Sequence, residues 1–189
     1  MRKWKRVQTA DGARFRSALD SHEAALLKNL VASMIALLDE RESSSPQDEL
    51  EQITGMKTGN SEPPDNATLQ RLLPDFAKPN DDPEENIDSL NAALRSLHEP
   101  SIIDAKKVAA QQLLDTLPDG GGKLELSEDV AHAWTSAVND LRLALGTMLD
   151  IRPDGPDRLP DGHPLAAHLD VYQWLTVLQE YLVVALMGS

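Results

Sequence analysis

Apolar residues recur at helical spacing through most of the chain. Leu26, Leu27, Leu30, Val31, Met34, Leu37 and Leu38 step by three and four, which predicts a first long helix from about His22 to Arg41 with one broad buried stripe. Asp20 stands at its cap position and Glu23, three residues on, completes a capping-box pair. Val130, Trp134, Ala137, Val138, Leu141, Leu145 and Met148 form a second such face, on a helix from Glu128 to about Leu149 capped by Ser127. A last helix runs from about Pro164 to Met187. Between these, Asp82-Pro83-Glu84-Glu85 has the cap, first-turn proline and acidic residue of a helix start, and that helix is expected to stop near His98, before Pro100. A separate helix then spans about Ile102 to Leu117 and ends at Pro118-Asp119-Gly120-Gly121-Gly122. Short helices are expected over Gln47–Ile53 and over Ala67–Leu73, the second ended by Pro74.

The pattern changes at the N-terminus. Trp4–Thr9 and Ala13–Ser17 flank Asp11-Gly12, a pair suited to the positive φ angles of a tight turn, so residues 3–17 read as a β-hairpin. Lys123-Leu124-Glu125-Leu126 suits one short strand that pairs with it. The fold class expected is mainly α: a single-domain helical bundle over 1–189 with a small N-terminal β-hairpin and one added short strand. Ser, Pro and acidic residues mark 42–66 as a flexible acidic segment and 152–162 as a loop.

The second and last of the long helices are apolar on more than one side, each with a thin polar line. Asn139, Arg142 and Gly146 lie at i, i+3, i+7, and Gln173, Thr176 and Glu180 repeat that spacing. Such helices must be covered on several sides, either at the centre of a bundle or against a second subunit in a homodimer. Matching the two lines pairs Arg142 with Glu180, because a buried cation needs a partner. Asn139, Arg142, Gln173, Thr176 and Glu180 are therefore expected to form a structural seam, and Gly146 a place of close helix approach.

Charge redirects attention to the hairpin. The formal net charge of the 189 residues is −13. Yet the first 16 residues carry Arg2, Lys3, Lys5, Arg6, Arg14 and Arg16 against Asp11 alone. An acidic body repels nucleic acid, so these six are the candidate contact for an acidic partner or a nucleic acid. No cysteine is present, which removes disulfides, thiolate metal sites and thiol redox chemistry from these residues. The most apolar stretch, Val171 to Met187, is interrupted by Gln173, Thr176, Gln179 and Glu180 and is too short to span a bilayer. With no signal-peptide pattern, the reading is cytoplasmic and without membrane contact.

Catalytic and metal-binding patterns fail on inspection. Gly120-Gly121-Gly122-Lys123 lacks both the leading glycine and the following Ser or Thr of a phosphate loop. His163 and His168 are five apart with Pro164 between them, off the four-residue spacing of a zinc helix. Asp154, Asp157 and Asp161 lack the alternating oxygens and terminal Glu of a calcium loop. No nucleophile elbow or dinucleotide glycine pattern occurs. The expectation is a non-enzymatic protein with no cofactor and no metal.

Asn139 to Thr147 and Val171 to Leu186 resemble the corresponding segments of an actinobacterial family of unknown function, whose members are often labelled oxidative stress transcriptional regulators of the AosR type. Arg14-Phe15-Arg16, the Glu23–Leu27 helix start, Leu72-Leu73-Pro74-Asp75 and Asp81-Asp82-Pro83-Glu84 support the resemblance, which covers nearly all of the chain outside about 42–66. It implies a cytoplasmic, non-enzymatic regulatory protein that acts with transcription machinery through protein contacts, with the basic N-terminus as the candidate for any nucleic-acid contact. Family genes neighbour the adaptor of the Clp protease, so the alternative is a dimeric adaptor or structural protein linked to Clp-type proteostasis, without DNA contact. Two departures stand out. A chain without cysteine cannot sense through thiols, and Met148 stands where the family often has a basic residue.

Overall fold

The computed structural model describes residues 1–45, 58–78, 86–151 and 162–188. They form three strands, β1 (Lys5–Thr9), β2 (Gly12–Leu19) and β3 (Gly122–Ser127), and five helices, α1 (Ser21–Ser43), α2 (Ala67–Leu72), α3 (Ile87–Thr116), α4 (Glu128–Met148) and α5 (Ala166–Met187). The protein is mainly helical, with one small antiparallel sheet in the order β1-β2-β3. The expected third strand is present and pairs with the second strand of the hairpin.

Helix α1 begins as its sequence dictates. Asp20 accepts from the Glu23 backbone N–H at 2.8 Å, and the Glu23 carboxylate accepts from the Asp20 N–H at 2.9 Å. The first of these bonds holds the Asp20 carboxyl below its ordinary range. Ser127 caps α4. In the hairpin only Gly12 takes a positive φ, of 107°, and it already pairs with Thr9, so Ala10 and Asp11 make the turn instead of Asp11 and Gly12. Gly121 combines a φ of 83° with a close approach: a Cβ there would lie 2.5 Å from the Asp20 carbonyl carbon.

Helix α4 is the hub, packing against α1, α2, α3, α5, β2 and β3. Trp134, Ala137, Val138 and Leu141 on it are buried as its spacing requires, while Met148 at its end is exposed. Trp134 stands edge-on to Trp4, with ring centroids 5.7 Å apart, and its indole N–H donates to Thr116 Oγ1 at 2.8 Å. Phe15, Leu19, Leu124 and Leu126 carry the inner face of the sheet into the same buried cluster. The segment around Asp140 is polar for a structural reason: Lys106 on α3 reaches the buried Asp140 carboxylate at 2.7 Å.

The two helices expected on either side of Pro100 are one continuous helix, α3, with Pro100 inside it. A proline has no N–H to give the carbonyl four residues earlier. That carbonyl, of Ser96, accepts instead from the Gly59 N–H at 2.8 Å. The contact is close enough that a Cβ on Gly59 would lie 2.7 Å from Pro100 Cδ. Asn86 caps α3; the Asp82–Glu85 start, the expected helix over Gln47–Ile53 and the Asp154, Asp157 and Asp161 loop lie outside the described residues.

A buried ionic network joins this crossing. Glu99 on α3 takes two bonds from Arg41 on α1, Nε to Oε1 at 2.7 Å and Nη2 to Oε2 at 3.2 Å. Arg95, one turn earlier, donates to Glu99 Oε2 at 3.0 Å, to the Leu73 carbonyl at 3.1 Å and to Asp75 Oδ1 at 2.5 Å. Arg95 and Glu99 are each only 2% exposed. Arg41 also donates to the Glu62 carbonyl at 2.6 Å, and Asn91 brackets Ala77 by accepting its N–H and donating to its carbonyl. These side chains bind the turn-rich segment 58–78 to the helices. Nearby, Asp39 and Glu42 on α1 pair with Lys107 on α3 and raise its pKa above the ordinary lysine value.

Two variants test the crossing. Gly59→Ala should destabilise the protein by about 1–3 kcal/mol through overpacking against Pro100, read as a lower denaturant midpoint. Glu99→Ala leaves two guanidinium groups buried without their shared anion and should cost about 3–5 kcal/mol. If Glu99→Ala unfolds at the same midpoint as the natural chain, the network contributes nothing to stability.

Candidate functional site

Register sorts the sheet into two faces. Lys5 lies opposite Arg16, and Val7 opposite Arg14, on β1 and β2. Arg16 lies opposite Glu125, and Ala18 opposite Lys123, on β2 and β3. Side chains directly opposite each other share a face, so Lys5, Arg14, Arg16, Lys123 and Glu125 stand together on the side away from the core. Arg16 donates to Glu125 at 2.5 Å across the strands. No ion pair to Lys5, Arg14 or Lys123 occurs among the described residues. Four cations and one anion on one small face contrast sharply with a chain whose formal charge is −13.

The six basic residues expected to act together therefore divide. Lys5, Arg14 and Arg16 share the outer face of the sheet. Arg2 is exposed just before β1, where its N–H donates to the Ala18 carbonyl at 3.0 Å. Lys3 turns towards α5 and holds its ammonium 5.1 Å from the centre of the Tyr181 ring. Arg6 sits on the opposite side of β1, with its guanidinium against Gly188 at the C-terminal end of α5. Positive charge is favourable there, beside the last carbonyls of a helix. Lys123 joins the basic face although the run of N-terminal charge did not include it; the strand pairing of Lys123–Leu126 with the hairpin was the signal that places it.

The polar seam is real in part. Arg142 on α4 donates to Thr176 Oγ1 at 3.0 Å and to Gln179 Oε1 at 2.5 Å, and its guanidinium lies 5.5 Å from the Tyr172 ring centre. Gln179 also donates to the Thr135 carbonyl at 3.3 Å. The expected Arg142–Glu180 pair does not form: Glu180 and Gln173 are exposed, and Asn139 is half-buried. One position along α5 decides this, because Gln179 faces α4 and Glu180 faces solvent. Arg142 is only half-buried, so neutral acceptors and an aromatic face satisfy it without a carboxylate. Gly146 meets the Tyr172 ring, 3.5 Å from the place of a Cβ, and so admits a side chain rather than a backbone.

Among the described residues no group of three or more His, Cys, Asp or Glu is placed to hold a metal ion. No described helix is long and apolar enough to cross a membrane.

The molecule is thus a mainly helical protein with one small sheet whose outer face is basic. The chain belongs to the family described as Domain of unknown function (DUF2017), which matches residues 1–186. Its similar proteins include the oxidative stress regulator AosR of Mycobacterium tuberculosis and that of Mycobacterium bovis. Each is 68% identical over 195 aligned residues, which span 100% of this chain and 89% of the relative. The putative oxidative stress regulator AosR of Mycobacterium leprae is 64% identical, over 100% of this chain and 90% of its own length. No solved structure matches the chain.

Replacing Arg142 by Met tests the seam. The aliphatic stem is retained and only neutral partners lose a bond, so the melting temperature should stay within about 4 °C of the natural value, the shift that ~1 kcal/mol produces. A much larger fall would show that the guanidinium bonds hold α4 to α5.

Proposed function

We infer that this chain is a non-catalytic regulatory protein in the response to oxidative stress, and that it works by binding an acidic macromolecule through the outer face of its N-terminal sheet. The names of the mycobacterial relatives support the regulatory role. The observation that carries the contact is the gathering of Lys5, Arg14, Arg16 and Lys123 on one sheet face of an otherwise acidic molecule. Such a face steers an oppositely charged partner and penalises a like-charged one. The absence of cysteine from these 189 residues means that a thiol-based signal would reach this protein through its partner.

An acidic protein is favoured over a nucleic acid as that partner. The face spans only three short strands, and the surrounding negative charge opposes the approach of a long polyanion. The test is a pull-down from the native host with the full chain and with a Lys5→Ala/Arg14→Ala variant, alongside a gel shift with a duplex DNA probe. The natural chain should retain a partner that added salt releases, the variant should lose it, and the duplex should stay free at low salt. Equal retention by both chains would remove the basic face from the function, and a retarded duplex would move the contact to DNA.

A further inference from the structure

Among the described residues, no strand pairs with the outer edge of β1. Thr9 pairs with Gly12, Val7 with Arg14 and Lys5 with Arg16 across a two-residue turn, so these alternate residues exchange backbone bonds with β2. The N–H and C=O groups of Arg6 and Gln8 then point the other way, off the edge of the sheet. A groove of about 570 Å³ runs along that edge. Trp4, Arg6 and Gln8 form one wall and Val184, Ala185 and Gly188 of the α5 end form the other. Val184, 44% exposed, gives the helix side of the groove an apolar contact, and Met187, 76% exposed, lies beyond it on the same helix.

We propose that the free edge of β1 takes an extended segment of an acidic partner protein as a fourth strand, with its residues alternating between apolar and acidic. Side chains of an added strand alternate between the two faces of the sheet. Every second residue would face the groove, where exposed Val184 offers apolar contact next to the stems of Arg6 and Gln8. The residues between would lie over the outer face beside Lys5, with Arg16 and Arg14 in the next row. Backbone bonds to Arg6 and Gln8 supply affinity without regard to sequence, and the alternation supplies specificity. A second copy of this chain fits less well, because its β1 carries no carboxylate to set beside Lys5. The inference rests on the basic face being the contact and adds how the partner is held.

The test uses the full chain, labelled with nitrogen-15, and three fluorescent probes. They are an alternating Glu-Val octapeptide, an octapeptide of the same composition with Glu and Val in separate blocks, and the alternating peptide N-methylated at every second residue on the edge that would pair. The alternating probe should bind at least tenfold more tightly than either of the others. It should also slow amide exchange at Arg6 and Gln8 and leave Val7 unchanged. Gln8→Pro removes an edge N–H that β2 does not use, so it should keep the natural melting temperature while weakening the alternating probe about tenfold. Two outcomes separate the failures. If all three peptides bind alike and Lys5→Glu abolishes them together, the basic face stands and the added strand falls. If none binds up to millimolar concentration, both fall.

Discussion

One carboxylate sets the geometry of the first half of the molecule. Glu99 is buried on α3 between Arg41 of α1 and Arg95 of its own helix. Two arginines against one carboxylate would leave a buried positive charge, and Asp75, on the solvent side of Arg95, supplies the second anion. A buried ion pair is weak evidence of stability, because desolvation offsets most of the attraction. It is stronger evidence of specificity, since each guanidinium has a fixed fork of donors that only one arrangement satisfies. Here the donors left over from Glu99 reach the Glu62 and Leu73 carbonyls, so the segment 58–78 is bound in one path. The same crossing answers the backbone problem posed by Pro100, whose missing N–H is replaced by that of Gly59.

From that crossing the polar contacts continue as a sequence of clamps across α4. Lys106 on α3 holds Asp140 on one flank of α4, and Thr176 and Gln179 on α5 hold Arg142 on the other. Between those two side chains α4 presents Leu141 to the core. The hub helix is thus oriented by one ion pair and one set of neutral bonds, while apolar packing supplies the bulk of the burial. Its N-terminus is the continuation of β3, so fixing α4 also fixes the sheet. Most of the inner sheet face, through Phe15, Leu19, Leu124 and Leu126, is used in packing, and the outer face is left as surface.

How far the sequence disclosed this depended on the range of the interactions. The α1 cap, the α1 stripe and the α4 cap are local, and all three appear where their spacing puts them. The hairpin was equally legible, apart from which residues make its turn. Pro100 does not end the helix as its local sequence predicts, because the group that satisfies Ser96 lies 37 positions earlier in sequence, on Gly59. Arg41, Arg95 and Glu99 carry a signal in their spacing. Arg41 falls at the next step of the buried series Leu27, Val31, Met34 and Leu38, and Asn91, Arg95 and Glu99 continue at steps of four into buried Ile103. Polar residues on the core side of a stripe mark a network. The seam was half legible: Arg142 and Thr176 do meet, but ranking partners by charge chose Glu180 over its neighbour Gln179, and helical direction decides that choice. At the candidate contact, charge count found the region, and only strand register could separate Lys5, Arg14 and Arg16 from Lys3 and Arg6.

That separation bears on what the edge of the sheet is for. An exposed strand edge invites indiscriminate pairing, and lysine on such an edge is a common safeguard. Lys5 stands on such an edge, in a strand that carries no carboxylate. The safeguard depends on sign, however, and fails selectively for a strand that carries carboxylates. On the proposed reading Lys5 would favour a strand that carries carboxylates, and protection and recognition would then be one property of β1. A neutral edge could offer the same backbone bonds, but it would admit any extended chain. An acidic body with one basic edge narrows that choice before a single hydrogen bond forms, because repulsion from the remainder of the surface leaves an acidic partner few other places to approach.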